Sequence, residues 1–473
     1  MSAGVRLLRI ETRRSAGLLF FPVLVFAAYW VVRGDLPHKV ALWNASAYAT
    51  KETVIFLGPL MAGLAAWTAG RNGRRGMDEL PASTPKSPAS RDLTTGAGVA
   101  LWGVAAYGAS AAALAAVAYP RATWGTPPLT LLVQGLLALA SYTAAGYAIG
   151  YYLRSRFVIP LVPVAAYIVP FALLVSGTTS LQNLIPFGYG YGRPSVFYFP
   201  DLEIHLAMSG WMLGLAAVAA AVIVLRSQRT PLSYLATVAA IGLAGVSASA
   251  LLGAPRGAGN VSDLELDVVT AREAPYEPVC EAGHAMTVCV HPAYSVLLPQ
   301  AAQIANKVVA PIAGIPGVPT RVEQAPELAS LREGSIRLPE YHLMADDAEA
   351  EGEVNFARNV AYQLVTVETA TPKQVQLSPN NYGCADAMCE QYWSDTGRQS
   401  VQGVVSEWLW RQAGYGLIGM GPQGPVRQNE SDIQYSSPDA KRIIELDPAR
   451  RRAWLAENFE EMRAGTLTLE DLP

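Results

Sequence analysis

Four cysteines are the side chains of this chain best suited to chemistry, and they fall as two close pairs, Cys280 with Cys289 and Cys384 with Cys389, in its C-terminal half. In a reducing cytosol such pairs can ligate zinc, with His284 and His291 beside the first pair. On an oxidising side of a membrane disulfides form instead. Of three possible connectivities, Cys280–Cys289 with Cys384–Cys389 is expected, because short loops close readily. Four paired thiols leave no cysteine nucleophile, no Gly-x-Ser-x-Gly elbow occurs, and His342 reads as a surface residue. The Gly-x-x-x-x-Gly-Lys-Ser/Thr loop that cradles nucleotide phosphates is also missing, so the chain is not itself a P-loop ATPase. No catalytic residue, cofactor or metal ligand is expected.

The compartment follows from the first half. Seven apolar stretches, roughly 16–32, 53–70, 96–119, 129–152, 157–176, 206–225 and 232–252, are each long enough to cross a bilayer. Basic residues flank them unevenly. Arg6, Arg9, Arg13 and Arg14 precede the first; Arg71, Arg74, Arg75, Lys86 and Arg91 separate the second from the third; Arg154 and Arg156 follow the fourth; Arg226 and Arg229 follow the sixth. The alternate loops hold only Arg33, Lys39, Lys51, Arg121 and Arg193. The expected topology is therefore that of a multi-pass membrane protein, and the excess of arginine over lysine with abundant alanine suggests a bacterial plasma membrane. The N-terminus is cytoplasmic, and residues 255–473 form an extracytoplasmic domain. No small-residue cleavage site follows the first apolar run, so it reads as a span and not as a signal peptide. Residues 1–255 carry 18 basic and 8 acidic side chains and the remainder 17 and 30, so a net charge of −3 conceals two regions of opposite sign. Nothing in that balance points to nucleic acid. Within the spans almost no charge is found: Glu52 and His205 are assigned to span edges and Lys51 to the loop before span two. Ion coupling is disfavoured on that ground, since intramembrane charges mark ion and proton paths.

Residues 1–15 place apolar and basic side chains at helical spacing, which suits an amphipathic helix in the cytoplasmic interface. The loop 71–91 is longer than a turn requires, charged and punctuated by prolines, which suggests a docking element. Within it stand Arg71, Arg74, Arg75, Asp78, Glu79, Leu80, Thr84, Pro85, Ser87 and Arg91. This layout resembles that of ABC-2 type exporter permeases over residues 1 to about 228. Glu79-Leu80, Thr84-Pro85, Ser87 and Arg91 match that family's coupling loop, whereas Pro81 stands where a second leucine is common. A helix there would end at Leu80 or begin at Pro81. The resemblance implies a separate cytosolic ABC ATPase carrying ATP and Mg, with Arg71, Arg74, Arg75, Asp78, Glu79, Thr84, Pro85 and Arg91 as its coupling surface. It also implies pairing of permease subunits, as a homodimer or heterodimer, among membrane lipids. In the outer loop 177–204, Phe187, Tyr189, Tyr191, Phe197, Tyr198 and Phe199 crowd at a density proper to a membrane interface. Gly188-Tyr189-Gly190 is similar to a potassium-channel filter, but Pro186-Phe187 replaces the residues whose carbonyls such a filter lines up.

The expected fold class is thus a polytopic α-helical membrane domain, 16–252, followed by a mixed α/β domain, 255–473. A strand is expected at 264–269, helices near 301–309, 354–365, 401–411 and 448–463, and a polar loop at 421–437. The helix around Asn359 and Gln363 faintly resembles that of a zincin-like peptidase. Asn359, Val360 and Gln363 stand where the two histidines and the glutamate would be, so the resemblance implies an inactive site. The function expected is that of a permease subunit with a noncatalytic outer domain. The alternative is a membrane-anchored extracellular binding or sensory protein with a decayed peptidase-like domain.

Overall fold

The computed structural model describes residues 3–33, 40–71, 87–153, 155, 157–175, 181, 183–186, 196–200, 202–253, 271–273, 276–325, 331–338, 349–366, 400–415, 418–421, 424–427 and 442–473. The chain divides into two compact units, one of residues 1–37 and 41–272, the other of 38–40 and 273–473.

The described residues of the first unit are mostly helical. Its helices are α1 (Ala3–Arg14), α2 (Gly17–Val32), α3 (Trp43–Glu52), α4 (Val54–Ala69), α5 (Pro88–Ala118), α6 (Leu129–Tyr152), α7 (Val158–Val175), α8 (Leu202–Ser227) and α9 (Pro231–Gly253). Five of the described helical stretches are long and apolar enough to cross a membrane, namely Trp43–Ala69, α5, α6, α8 and α9; α1 and α2, bent by 70° at their junction, make a sixth if counted as one span. The bend follows from local chemistry. The Ser15 hydroxyl accepts a hydrogen bond from Gly17 N at 3.0 Å, ending one helix and starting the next. Against the elbow stands Trp102 of α5, whose indole N–H donates to the Thr12 carbonyl at 3.0 Å.

Two boundaries depart from expectation. Helix α5 starts at Pro88 because Ser87 caps it, its hydroxyl accepting from Ser90 N, with proline at the first helical position. The second apolar stretch begins ten residues early, at Trp43. Its polar first turns are satisfied inside the bundle: Thr50 Oγ1 donates to the Ser46 carbonyl and Thr53 Oγ1 to the Thr50 carbonyl. The helix tightens at Thr53, where the Thr53 N–H bonds three residues back, to Thr50 O.

Small residues set how closely the helices approach. Gly146 and Gly150 of α6 face the backbone of α4, and a Cβ on either would lie 2.2 and 2.3 Å from the carbonyl oxygens of Ala62 and Ala66. The two sets of small residues, each spaced by four, bring the helix backbones into contact as in Gly-x-x-x-Gly packing. Leu57, Met61, Val99, Leu139 and Met212 complete the core of the bundle.

The second unit is mixed. A four-stranded sheet has the order β3 (Val279–Ala282), β4 (Thr287–Val290), β5 (Arg321–Gln324) and β6 (Ser335–Leu338), after two short strands, β1 (Tyr198–Pro200) in the first unit and β2 (Ala271–Glu273). Strands β3 and β4 are antiparallel; β4, β5 and β6 are parallel. The helix α10 (Leu298–Val309) connects β4 to β5 and buries Ala301, Ala305, Val308 and Val309. Its Asn306 side chain accepts from the N–H groups of Ala285 and Met286, fixing the β3–β4 turn. Helices α11 (Glu349–Val365), α12 (Val401–Gln412) and α13 (Pro448–Ala464) lie where helical periodicity places them. At 421 the expected polar loop gives way to a hairpin of β7 (Ile418–Gly421) and β8 (Gly424–Arg427). The strand expected at 264–269 lies outside the described residues.

Candidate functional site

In the second unit, Cys280 and Cys289 face each other across β3 and β4 and form a disulfide, with 4.0 Å between their Cα atoms. The antiparallel register brings these thiols together, so the first expected bridge is present and the zinc alternative for this pair falls. Cys384 and Cys389 lie outside the described residues, as does His342.

His291, which only the zinc alternative would make a ligand, performs a backbone task. It is fully buried, caps the short helical turn after β4, and accepts the Ala293 N–H at Nδ1, 3.1 Å away. Burial holds its pKa down at about 4. Tyr276 packs against its ring, and the Gln324 side chain accepts its backbone N–H at 2.8 Å. On α11, Val360 is buried among Phe356, Ala357, Ala361 and Leu364, so the position compared with a catalytic glutamate is a packing position.

The loop expected to dock an ATPase is described only at its ends. Arg71 stands just beyond α4, which ends at Ala69 with Gly70 as its C-cap, and Ser87 and Arg91 lie at the start of α5; Arg74, Arg75, Asp78, Glu79, Thr84 and Pro85 lie outside the described residues. Glu11 of α1, Arg71 and Asp92 all lie close enough to act electrostatically on Tyr147 of α6. The elbow helix and both ends of the loop therefore share one end of the bundle. Of the aromatic outer loop, Phe197 is buried, while Phe187, Tyr189 and Tyr191 lie outside the described residues. Ile185 in the same loop is fully buried, and Trp211 of α8 donates its indole N–H to the neighbouring Leu184 carbonyl at 3.0 Å.

The bundle holds one arrangement that contradicts the expectation of uncharged spans. Lys51, assigned to a loop, is 2% exposed and lies inside the apolar helical stretch Trp43–Ala69. Its ammonium donates to Gln134 Oε1 of α6 at 2.9 Å and touches Met208 Sδ of α8 at 3.5 Å. Gln134, 1% exposed, lies 2.6 Å through Nε2 from His205 Nδ1 and donates to the His205 carbonyl at 3.1 Å. Three helices thus meet in a lysine, an amide and an imidazole. A buried ammonium within a span removes the ground on which ion coupling is disfavoured. The sequence places Lys51 in a loop because its neighbours Asn44, Ser46, Thr50 and Glu52 lower the apolar signal just where the bundle supplies polar partners.

No family model matches this chain, and no curated protein or solved structure matches it either.

Proposed function

We propose that this chain is the membrane-embedded subunit of an exporter of the ABC-2 permease type, driven by a separate cytosolic ATPase. Its seven apolar stretches all serve as spans, and the span α9 carries residues 255–473 to the extracytoplasmic side as a noncatalytic domain. One observation carries the reading. A basic, amphipathic α1 turns 70° from α2 and packs on α5 at the end of the bundle from which the loop 71–91 emerges. A helix lying in the membrane plane beside a charged loop gives a cytosolic motor a surface to push on, and α4 and α5, which leave that loop, carry the push into the bundle.

The test is a pull-down of the tagged full chain from membranes in the presence of ATP and Mg, followed by ATP turnover in the reconstituted complex. Charge reversal at Arg74, Arg75 and Glu79 should weaken recovery of the ATPase while leaving membrane insertion intact, because charges at an interface rim govern association more than folding. If the unaltered chain recovers no ATPase, the exporter reading gives way to that of a membrane-anchored extracellular binding protein.

A further inference from the structure

The cluster of Lys51, Gln134 and His205 is built for more than holding three helices together. An ammonium carries three donors, and a buried one is stabilised only when strong acceptors meet them. Lys51 has one amide oxygen and one thioether, a weak acceptor, and its described hydrogen bonds and ion pairs include no carboxylate. Glu52, next in the chain, attracts it through space. A tie among α3, α6 and α8 needs no charge, since leucine or methionine of similar volume would pack there without the desolvation penalty of a buried ion. One residue along α6 from Gln134, the buried Tyr107 hydroxyl rests against Gly135, where a Cβ would lie 2.1 Å from it, and it has no hydrogen-bond partner among the described residues. An ammonium with one strong acceptor for its three protons and a buried hydroxyl with none among the described residues thus lie against consecutive positions of α6. His205 Nδ1 lies 2.6 Å from the Gln134 amide nitrogen, which also donates to the His205 carbonyl, so the imidazole holds the amide in the orientation that turns its oxygen to Lys51.

We propose that Lys51, positioned by Gln134 and His205, forms a site for a single oxyanion, the carboxylate or phosphate group of an amphiphile held within the membrane bundle. The ammonium supplies the charge, and Gln134 fixes it by accepting a hydrogen bond from it at Oε1. The site is closed in this conformation, and Met208, the weakest of the ammonium's contacts, is the group a ligand oxygen displaces. The tightened turn at Thr53, two residues from Lys51, lets α3 move relative to α4 and admit the ligand. Gln134 lies five residues into α6 and His205 three residues into α8, so the oxyanion sits within two turns of one end of the bundle, at headgroup depth. The proposal does not require an ATPase partner, so failure of the pull-down leaves it standing.

The experiment uses the full chain in an uncharged detergent and three radiolabelled probes: phosphatidylglycerol for a lipid phosphate, oleate for a carboxylate, and dioleoylglycerol as the uncharged comparison. One anion should bind at least tenfold more tightly than dioleoylglycerol, and which one it is assigns the source. Lys51→Met should remove that preference, and Lys51→Arg should keep it within about threefold. Should Lys51→Met fail to fold, Gln134→Glu carries the test, because it places the protein's own carboxylate beside the ammonium and should abolish anion binding in a folded chain. Equal binding of all three probes, or anion binding unchanged in Lys51→Met or in Gln134→Glu, overturns the proposal.

Discussion

Gly146 of α6 meets Ala62 of α4 at a separation that excludes any side chain: a Cβ on the glycine would stand 2.2 Å from the Ala62 carbonyl oxygen and 2.6 Å from its Cα. These are backbone atoms and cannot swing aside. Because Gly150 repeats the contact one turn later against Ala66, the two helices touch along a line.

Replacing Gly146 with leucine should therefore force α4 and α6 apart. Overpacking of this kind costs about 1–3 kcal/mol where side chains can yield, and backbone yields less, so the upper end is expected. Thermal unfolding of the full chain in detergent gives the measurement. Gly108→Ala is the control, since a Cβ there meets nothing within 4 Å. Equal melting of the two variants would remove the close approach as a determinant of the bundle.

The β3–β4 disulfide makes a second prediction. Cys280 and Cys289 close a short loop, which stabilises a folded unit by about 2–3 kcal/mol through the entropy of the unfolded chain. Cys280→Ser should lower the melting of the second unit by that amount and leave the first unit unaltered. Alkylation under denaturing, non-reducing conditions should modify neither Cys280 nor Cys289 in the unaltered protein. Modification of both would contradict the bridge.

His291 makes the stability of the second unit depend on pH. Its folded pKa of about 4 lies below the ordinary 6.5, so the folded state refuses a proton that the unfolded state accepts. Stability from this residue is complete above about pH 6.5, falls as the pH drops towards 4, and levels off below that. The loss has a structural route, because a protonated Nδ1 cannot accept the Ala293 N–H. In His291→Asn the side-chain oxygen can still cap the turn without titrating. Melting followed from pH 7.5 to 4 should slope less in that variant; identical slopes would assign the acid sensitivity elsewhere.

Periodicity and capping carry the legible part of this fold. Helix α13 is announced by Asp447 and Pro448, whose cap and first helical position both form. Helices α10, α11 and α12 follow from their apolar stripes. The cross-strand disulfide is legible from spacing once the compartment is read. The candidate oxyanion site is not legible, because hydropathy averages over a window, and Lys51 sits among polar residues that look like a loop until α6 and α8 are folded against them. Gln134 gives no signal by itself. The close approach of α4 and α6 is present in the sequence as Ala62, Ala66, Gly146 and Gly150, but nothing local says which helices such residues join.

The orientation of the chain can be tested directly. Arginines cluster on alternate loops of the apolar half, and cytoplasmic loops retain positive charge during insertion. Ser90, exposed near the start of α5, should then face the cytoplasm, and Val296, 58% exposed in the second unit, should face outward. Cysteines introduced singly at these two positions, with the native thiols replaced by serine, should respond oppositely to a membrane-impermeant maleimide in intact cells. Val296→Cys should label at once, and Ser90→Cys only after permeabilisation. The pattern matters beyond topology, because a disulfide at Cys280–Cys289 persists only on an oxidising side. The reverse labelling would place the bridge in a reducing compartment and move the loop proposed to meet an ATPase to the wrong side of the membrane, removing the exporter reading and the disulfide prediction together.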